Sequence, residues 1–265
     1  MALETGLFIF KKIWACITAI FWKNKSIVYL NSNKKSFNLE EACRSQCINV
    51  KDSKVIVLGK NLPTSYKMYR THFKKMQYRL FQIKRNLKEN IDFTYGGFVS
   101  PMFAVFDGME IGNTTKFNLV CYDNNKNSYY SILYSKKSSN SPAEIECSDV
   151  LVGNEINIVI SSTYKIAPSK YDASLKTFEF QELANNKIDN KYLQKVYQFV
   201  ESVLVWSQTR NIKRINMYIS AKQPVSFVVG TAIEERHPEI IVYEYLNNEY
   251  AFSLNLKTFK IAKTV

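Results

Sequence analysis

The hydrophobic and polar positions of this chain follow one series of periods twice. The first series runs through an amphipathic helix, a strand, a loop, an apolar helix and two strands, at residues 65–85, 91–95, 96–101, 102–111, 116–123 and 128–134. The second series has the same elements at residues 191–211, 215–219, 220–224, 225–233, 239–245 and 250–256. Pro101 corresponds to Pro224 and Tyr122 to Tyr243, so the pattern predicts two like units in one chain.

Strands that alternate with helices predict an α/β fold with partly parallel sheets. We expect two pseudo-symmetric, Rossmann-like halves, the first at about residues 26–165 and the second at about 166–265. Two more strand patterns and a short helix fall within residues 26–63, and a further strand at 154–160 precedes a polar loop. Ligands of such sheets bind beyond the carboxyl ends of the strands. The two proline-led helices would offer their N-terminal amide groups to phosphate there.

Within the N-terminal segment at residues 1–25, residues 6–22 are very apolar, and the segment carries a seam of large side chains at helical spacing. Lys11 and Lys12 interrupt the apolar stretch, which is short for a membrane span. We expect an apolar N-terminal helix that packs against protein, in docking or oligomerisation. The alternative is contact with a membrane surface, which the lysines would favour.

The charge of the chain favours polyanionic partners. It has 36 basic and 23 acidic residues, for a formal net charge of +13, which attracts nucleic acid, anionic membranes and phosphate-rich small molecules alike. The five cysteines show no paired metal-ligand spacing. Cys43 and Cys47 lie four residues apart, but neither histidine is near them in sequence. We therefore expect free thiols in a reducing cytoplasm and no metal site.

No catalytic motif is recognisable in the sequence. It lacks a P-loop, a nucleophile elbow, a zinc-protease motif and an acidic cluster with metal-ligand spacing. We therefore expect a binding protein that uses no cofactor, and not an enzyme.

Motifs in both units resemble the SAVED family of sensor domains. The segments YGGFVSPMFAVFDGMEI (95–111) and FNLVCYD (117–123) resemble the first half of these domains. MYISAKQPVSFVVGTAI (217–233) and PEIIVYEY (238–245) resemble the second half, and INIVISSTYKI (156–166) is similar to the strand and loop between them. The resemblance covers roughly residues 65–256 and implies two halves related to CARF sensors, within a SAVED-type domain at residues 26–265.

The resemblance also implies a function. SAVED domains bind cyclic oligonucleotides in anti-phage systems, CBASS above all and some type III CRISPR systems, where ligand binding drives oligomerisation and switches on an effector. We therefore expect a cyclic tri- or tetranucleotide ligand and a homo-oligomer on binding. Because residues 1–64 are too few for the family's enzymatic effectors, we expect the effector in a separate subunit.

The expected ligand-binding residues lie in three loops and on one strand. They are Tyr95, Gly96, Gly97, Ser100, Ser161, Ser162, Thr163, Tyr164, Ser220, Lys222, Gln223, Tyr243 and Tyr245. The glycines would let the backbone approach phosphate, the hydroxyls and Lys222 would bind it, and tyrosine rings would stack on a base. Each has a plainer alternative: tight turns for the glycines and hydroxyls, a solvated lysine, and a buried aromatic pair.

Two other functions stay open. The basic helix at residues 70–85 and the net charge fit a general nucleic-acid-binding module, although no compact nucleic-acid-binding motif is present. The apolar N-terminal helix fits an effector that perturbs membranes once ligand drives assembly. Ligand size separates the first alternative from the sensor, because a nucleic-acid binder prefers long chains with a steep salt dependence.

Overall fold

Helices and strands follow one another in the order that the repeat predicts. A computed structural model describes residues 27–32, 54–57, 65–86, 93–112, 116–123, 126–136, 153–184 and 188–264. Its strands are β1 (Ile27–Ser32), β2 (Lys54–Val57), β3 (Phe93–Phe98), β4 (Lys116–Asp123), β5 (Ser128–Ser135), β6 (Glu155–Ser161), β7 (Lys176–Phe180), β8 (Arg214–Ser220), β9 (Glu239–Leu246), β10 (Glu249–Asn255) and β11 (Lys260–Lys263). Its helices are α1 (Tyr66–Asn86), α2 (Pro101–Ile111), α3 (Asn190–Thr209) and α4 (Gln223–Thr231). The predicted helices at residues 1–25 and 38–47 lie outside the described residues.

The described strands form two sheets within a mixed α/β fold. The first has the order β2-β1-β3-β4-β5, in which all neighbours are parallel except the β4–β5 hairpin. The second has the order β7-β6-β8-β9-β10-β11, and its strands are parallel as far as β9 and antiparallel beyond it. The first five strands of the second sheet thus repeat the order and directions of the first sheet.

Three details of the strands differ from the sequence prediction. β3 continues to Phe98, through the glycines expected in a loop, because residues 96–98 pair with the end of β1. Two strands, β7 and β11, were not predicted. Each is short, lies at an edge of the second sheet and has one buried side chain, Phe178 or Ile261, so neither shows a clear hydrophobic period.

The predicted polar turn before β10 is a tight hairpin. Asn247 and Asn248 both have positive φ, at 54° and 67°, as two-residue turns between antiparallel strands require. Asparagine tolerates this left-handed backbone better than most residues do. The turn therefore fixes the register in which β10 returns along β9.

Helices α2 and α4 pack against each other at the centre of the fold. α4 also contacts β3 and β4 of the first sheet, and α2 contacts β8 and β9 of the second. Every described residue of α4 is buried, as are eight of the eleven in α2. A helix that is apolar on all sides is typical of such an enclosed position. One core cluster therefore contains side chains from both sheets, among them Phe117, Ile158 and Met217.

The outer helices α1 and α3 bury one face each. In α1 the buried positions include Phe73, Met76 and Leu80, at the helical spacing read from the sequence. Asp189 caps α3 by accepting a hydrogen bond from the Tyr192 amide at 2.8 Å. None of the helices in the described ranges combines the length and the hydropathy that a membrane span requires.

Candidate ligand-binding site

The carboxyl-terminal half of β3 lies next to the start of α4, the helix that follows β8. Gln223 Nε2, at the start of α4, donates a hydrogen bond to the Gly96 carbonyl oxygen at 3.3 Å. This contact joins the carboxyl-terminal half of β3, which leads into α2, to the first residue of α4. Gly97 has a φ of 127°, a backbone conformation that favours glycine. The strand-to-helix connection after β3 therefore needs a glycine whether or not a ligand approaches it.

Both proline-led helices begin without a side-chain cap. Their N-cap residues, Ser100 and Lys222, have the same extended backbone, and neither side chain bonds to the first turn. Pro101 and Pro224 follow within the first two helical positions. The first amide groups of each helix thus receive no hydrogen bond from the N-cap side chain, and the helix dipoles add positive potential there. This arrangement suits a phosphate.

A buried acid that the sequence pattern did not predict as a site residue lies at the start of α2. Glu244 of β9 accepts a hydrogen bond from Tyr69 Oη at 3.2 Å. Burial raises the pKa of Glu244 to about 7, and the nearby Ser100 and Tyr69 hydroxyls and the Met102 amide oppose that rise. Ser100 Oγ and Glu244 Oε2 are buried and make no hydrogen bond to any described residue. The two helix starts therefore differ, because a carboxyl group lies beside one of them.

The loop after β6 is built onto the end of β8. The amides of Ser162 and Thr163 both donate to the Ser220 carbonyl oxygen at 2.8 Å, and the Tyr164 amide donates to Ser220 Oγ at 3.2 Å. Thr163 and Tyr164 are exposed, so they are the accessible members of this predicted group.

Two of the predicted hydroxyls make hydrogen bonds within the protein, one inside the loop and one to α3. Ser161 Oγ accepts from the Ile166 amide at 3.0 Å, and Ser162 Oγ is hydrogen-bonded to Tyr192 Oη at 2.8 Å. Both serines are 1% exposed. They shape the loop in this structure, and direct contact between them and a ligand stays a prediction.

Tyr95 of β3 lies in the core, against α4. It is 1% exposed, its hydroxyl donates to Asp107 at 2.8 Å, and its ring stacks on Phe227 with centroids 4.0 Å apart. Burial raises the pKa of Tyr95 well above its ordinary value, so the hydroxyl remains a donor. Its position supports the backbone of β3 directly below the glycines.

The predicted pair Tyr243 and Tyr245 belongs to a larger group of tyrosines. Tyr243 stacks on Tyr218 with centroids 4.6 Å apart, and Tyr245 contacts Tyr250 at 5.1 Å. These rings lie on the face of β9 opposite Glu244, because side chains alternate along a strand. Tyr218 and Tyr250 were missed, since each looked like an ordinary core residue of its own strand.

An exposed aromatic edge extends this group toward the β6 loop. Tyr164, 50% exposed, lies 6.5 Å from the Tyr245 ring, and Lys170 Nζ lies 5.7 Å from the same ring. Rings beside a lysine can stack on a base while the charge meets a phosphate. The structure therefore brings Tyr164 and Tyr245 together.

Lys222, the N-cap residue of α4, lies near β4 of the first sheet. It is half-buried at the start of α4, and its charge acts on Cys121 of β4. Burial raises the pKa of the Cys121 thiol to about 12, and the lysine opposes that rise. Within the described ranges, no cluster of histidine, cysteine or acidic side chains could hold a metal ion.

A cavity of about 710 Å³ lies at the other end of the central helices. Its lining includes Gly112, just after α2, and Thr231, the last residue of α4. The helix N-termini point away from it. Charge complementarity to phosphate thus favours the strand-end loops over this cavity as the ligand site.

Comparison with known proteins identifies the family. The family model for the SMODS-associated and fused to various effectors sensor domain, SAVED, matches residues 77–256. No curated protein sequence matches the chain.

Among solved structures, the fold is similar to Cap4 SAVED/CARF-domain containing receptors. That of Acinetobacter baumannii with the cyclic trinucleotide 2'3'3'-cAAA has 15% identity and a TM-score of 0.54, over 88% of this chain and 52% of that chain. The same receptor with 3'3'3'-cAAA has 15% identity and a TM-score of 0.52, over 87% and 50%. That of Moraxella osloensis has 13% identity and a TM-score of 0.50, over 88% and 49%.

The chain thus spans about half the length of these receptors. The identities are low, so these structures support the fold alone. The family model, in contrast, matches well over half of the sequence. This chain belongs to the SAVED family of sensor domains.

Proposed function

We propose that this chain senses a cyclic oligonucleotide second messenger, a cyclic tri- or tetranucleotide, and on binding it oligomerises to activate an effector in anti-phage defence. Membership of a sensor-domain family supports the proposal. So does the similarity to Cap4 receptors whose structures contain cyclic trinucleotides of adenylate. We further propose that the two sheets, with their repeated strand order, are pseudo-symmetric CARF-like halves of one domain.

One observation carries the proposed binding mode. The hydrogen bond between Gln223 and Gly96 joins the start of α4 to the strand that leads into α2, and neither helix is capped by its own N-cap side chain. A ring of phosphodiesters would lie across this junction and present a phosphate to each half. Lys222 would add a charge at the centre, and Tyr164 with Tyr245 would stack on a base at the rim.

The effector is proposed to be a separate subunit. The cyclic oligonucleotide is proposed to be the only small molecule that the chain requires, without a cofactor. The apolar segment at residues 1–25 remains the expected docking or oligomerisation element. Membrane contact through it, and perturbation of a membrane after assembly, is the alternative. The cytoplasmic location expected from the free thiols stays a prediction.

The proposal is tested by titrating the protein with 3'3'3'- and 2'3'3'-linked cyclic triadenylate, cyclic tetraadenylate and linear triadenylate. Lys222→Ala should weaken binding of the preferred ring by about tenfold, since it removes a charge-assisted phosphate contact. Lys213→Ala is the matched control. Lys213 is exposed and lies just before β8, whereas Lys222 lies just beyond its other end.

Each outcome separates the sensor from its alternatives. The proposed site is supported if one cyclic oligonucleotide binds, if Lys222→Ala loses that binding and if Lys213→Ala retains it. An equal loss of affinity in both variants would indicate that only non-specific charge attraction holds the ligand, which would contradict the proposed site. Sedimentation velocity with and without the preferred ring tests oligomerisation, and an unchanged sedimentation coefficient would contradict that step.

A further inference from the structure

The outer face of α1 carries positive charge without any acidic residue. The helix contains seven basic residues and no aspartate or glutamate. The exposed basic side chains include Lys67, Arg70, Lys74, Lys75, Arg79 and Lys84. A helix surface of a soluble protein usually mixes both signs, because opposite charges four residues apart stabilise it. The single sign on α1 therefore indicates an anionic partner.

The last strand extends this positive surface. Tyr66 Oη of α1 donates to the Ile261 carbonyl oxygen of β11 at 2.9 Å, so the two elements lie side by side. Lys260 and Lys263 of β11 are exposed, as is Lys257 in the preceding turn. Residues 250–264 contain no acidic residue. We call the exposed side of these two elements, with the turn before β11, the α1–β11 surface.

Exposed aromatic rings lie among these basic side chains. Tyr78, Phe81 and Phe259 are 60%, 58% and 41% exposed. Arg79 lies over the Tyr78 ring at 5.9 Å. Large rings in water favour neither folding nor solubility, so several in one basic region are typical of a binding surface.

Phe259 occupies an unfavourable backbone conformation. Its φ is 55°, in the left-handed region that bulky side chains rarely adopt. The turn before β11 would accept glycine or asparagine at this position more readily. The conformation presents the ring next to Phe106, with centroids 5.6 Å apart, and leaves its other side open. Strain of this kind is often found where a side chain is held for binding.

An apolar groove of about 500 Å³ lies beside Phe81 and Phe259. Phe81, Phe106 and Phe259 line it, with Gln77, Lys84 and Glu110. Lys84 pairs with Glu110 at 3.0 Å, so the acid on its wall is compensated. The groove thus offers ring faces and lies among lysines, the combination that binds an unstacked base and its phosphates.

We propose that the α1–β11 surface binds single-stranded nucleic acid, with a base in the groove against Phe81 and Phe259 and phosphates on the lysines of α1 and β11. Duplex DNA fits less well, because its bases are stacked and cannot reach the rings. The α1–β11 surface is separate from the proposed cyclic-oligonucleotide site. Ser100 and Glu110 lie ten residues apart along α2, about 15 Å at the rise of an α-helix. The inference does not depend on the proposed function.

The test is fluorescence anisotropy of the full chain with a labelled 20-nucleotide oligothymidylate and oligouridylate across a salt series. Phe259→Gly should weaken binding about tenfold, a loss typical of one stacked base. The same change removes the left-handed strain at Phe259, so the melting temperature should stay the same or rise. Phe81→Ala should also weaken binding, and Leu133→Ala, which removes an equally exposed side chain from β5, should not.

Charge variants complete the test. Lys257→Gln with Lys260→Gln should lower both the affinity and the salt dependence, whereas Lys191→Gln with Lys213→Gln removes two exposed lysines elsewhere and should change neither much. Equal effects of the two pairs, absence of oligonucleotide binding, or preference for anionic phosphatidylserine vesicles would overturn the proposal. Cyclic triadenylate titrations of the same variants show whether the ring site is intact, so failure of this site and failure of the proposed function are distinguishable.

Discussion

Gly108 of α2 and Gly230 of α4 allow the two central helices to cross at backbone contact. A Cβ atom at Gly108 would lie 2.0 Å from the carbonyl oxygen of Phe227, and one at Gly230 would lie 2.0 Å from that of Val105. Each glycine therefore makes room for the other helix. Their crossing fixes the separation of the two helix N-termini and, with it, the span of the proposed phosphate sites.

Alanine at either glycine should destabilise the protein. The added methyl group forces the helices apart, and overpacking of this kind costs about 1–3 kcal/mol. Gly112→Ala is the matched control, since its Cβ would meet its nearest neighbour at 3.0 Å. Urea unfolding should rank Gly112→Ala as the mildest change. Equal stability for all three variants would show that the crossing is not tight.

Glu244 should make stability fall as pH rises. Its carboxyl has a pKa of about 7 in the folded chain against an ordinary value of 4.5. Between these values the folded state holds a proton that the unfolded state has lost, so folding becomes less favourable toward neutral pH. Above about pH 7 this contribution no longer changes.

Glu244→Gln removes that titration. The stability of the natural chain relative to the variant should decrease by up to about 3 kcal/mol between pH 5 and pH 8. Denaturant unfolding at a series of pH values measures it, with Glu249→Gln, an exposed glutamate on β10, as the control. If the difference in unfolding free energy between the natural chain and Glu244→Gln does not change with pH, the pKa of Glu244 is not raised and the group is an ionised carboxylate at neutral pH.

Ser100→Ala separates ligand binding from folding. Ser100 Oγ is buried and makes no hydrogen bond to the described residues, so its loss should change the unfolding free energy by less than about 0.5 kcal/mol. Titration with cyclic triadenylate should nevertheless show weaker binding, because the hydroxyl lies at the proposed phosphate site. A large loss of stability with unchanged affinity would show that the Ser100 hydroxyl stabilises the fold and does not contact the ligand.

Tyr95→Phe should act mainly through the fold. The change removes the 2.8 Å hydrogen bond to buried Asp107 and should cost about 1–3 kcal/mol. Tyr134→Phe is a close control, because the Tyr134 hydroxyl is equally buried and makes no hydrogen bond to the described residues. Thermal unfolding should show a loss only for the first variant. The opposite order would contradict the role assigned to the Tyr95 hydroxyl.

Much of the fold could be predicted from the sequence. The repeat of helical and strand periods predicted α1 to α4 and the hairpins β4–β5 and β9–β10, because long elements with one buried face leave a clear period. The sequence also predicted that the two proline-led helices begin beyond the carboxyl ends of strands, where ligands of such sheets bind.

The parts that could not be predicted depend on distant contacts. Alternation along β9 indicates that Glu244 and Tyr243 face opposite ways, but not that α2 begins beside the glutamate. The grouping of Tyr218 with Tyr250 requires the order of strands in the sheet. The turn that presents Phe259 follows no turn motif, because a bulky residue occupies a position where glycine or asparagine is expected.

The measurement that tests the sensor account most directly is the melting temperature against cyclic di-, tri- and tetranucleotides, with linear oligonucleotides of the same composition beside them. Ligand at about a hundred times its dissociation constant stabilises a protein by about 2.7 kcal/mol, a readily visible shift. The account predicts a shift with one cyclic tri- or tetranucleotide and none with its linear counterpart. No shift with any ring, together with stabilisation by long single strands, would contradict it.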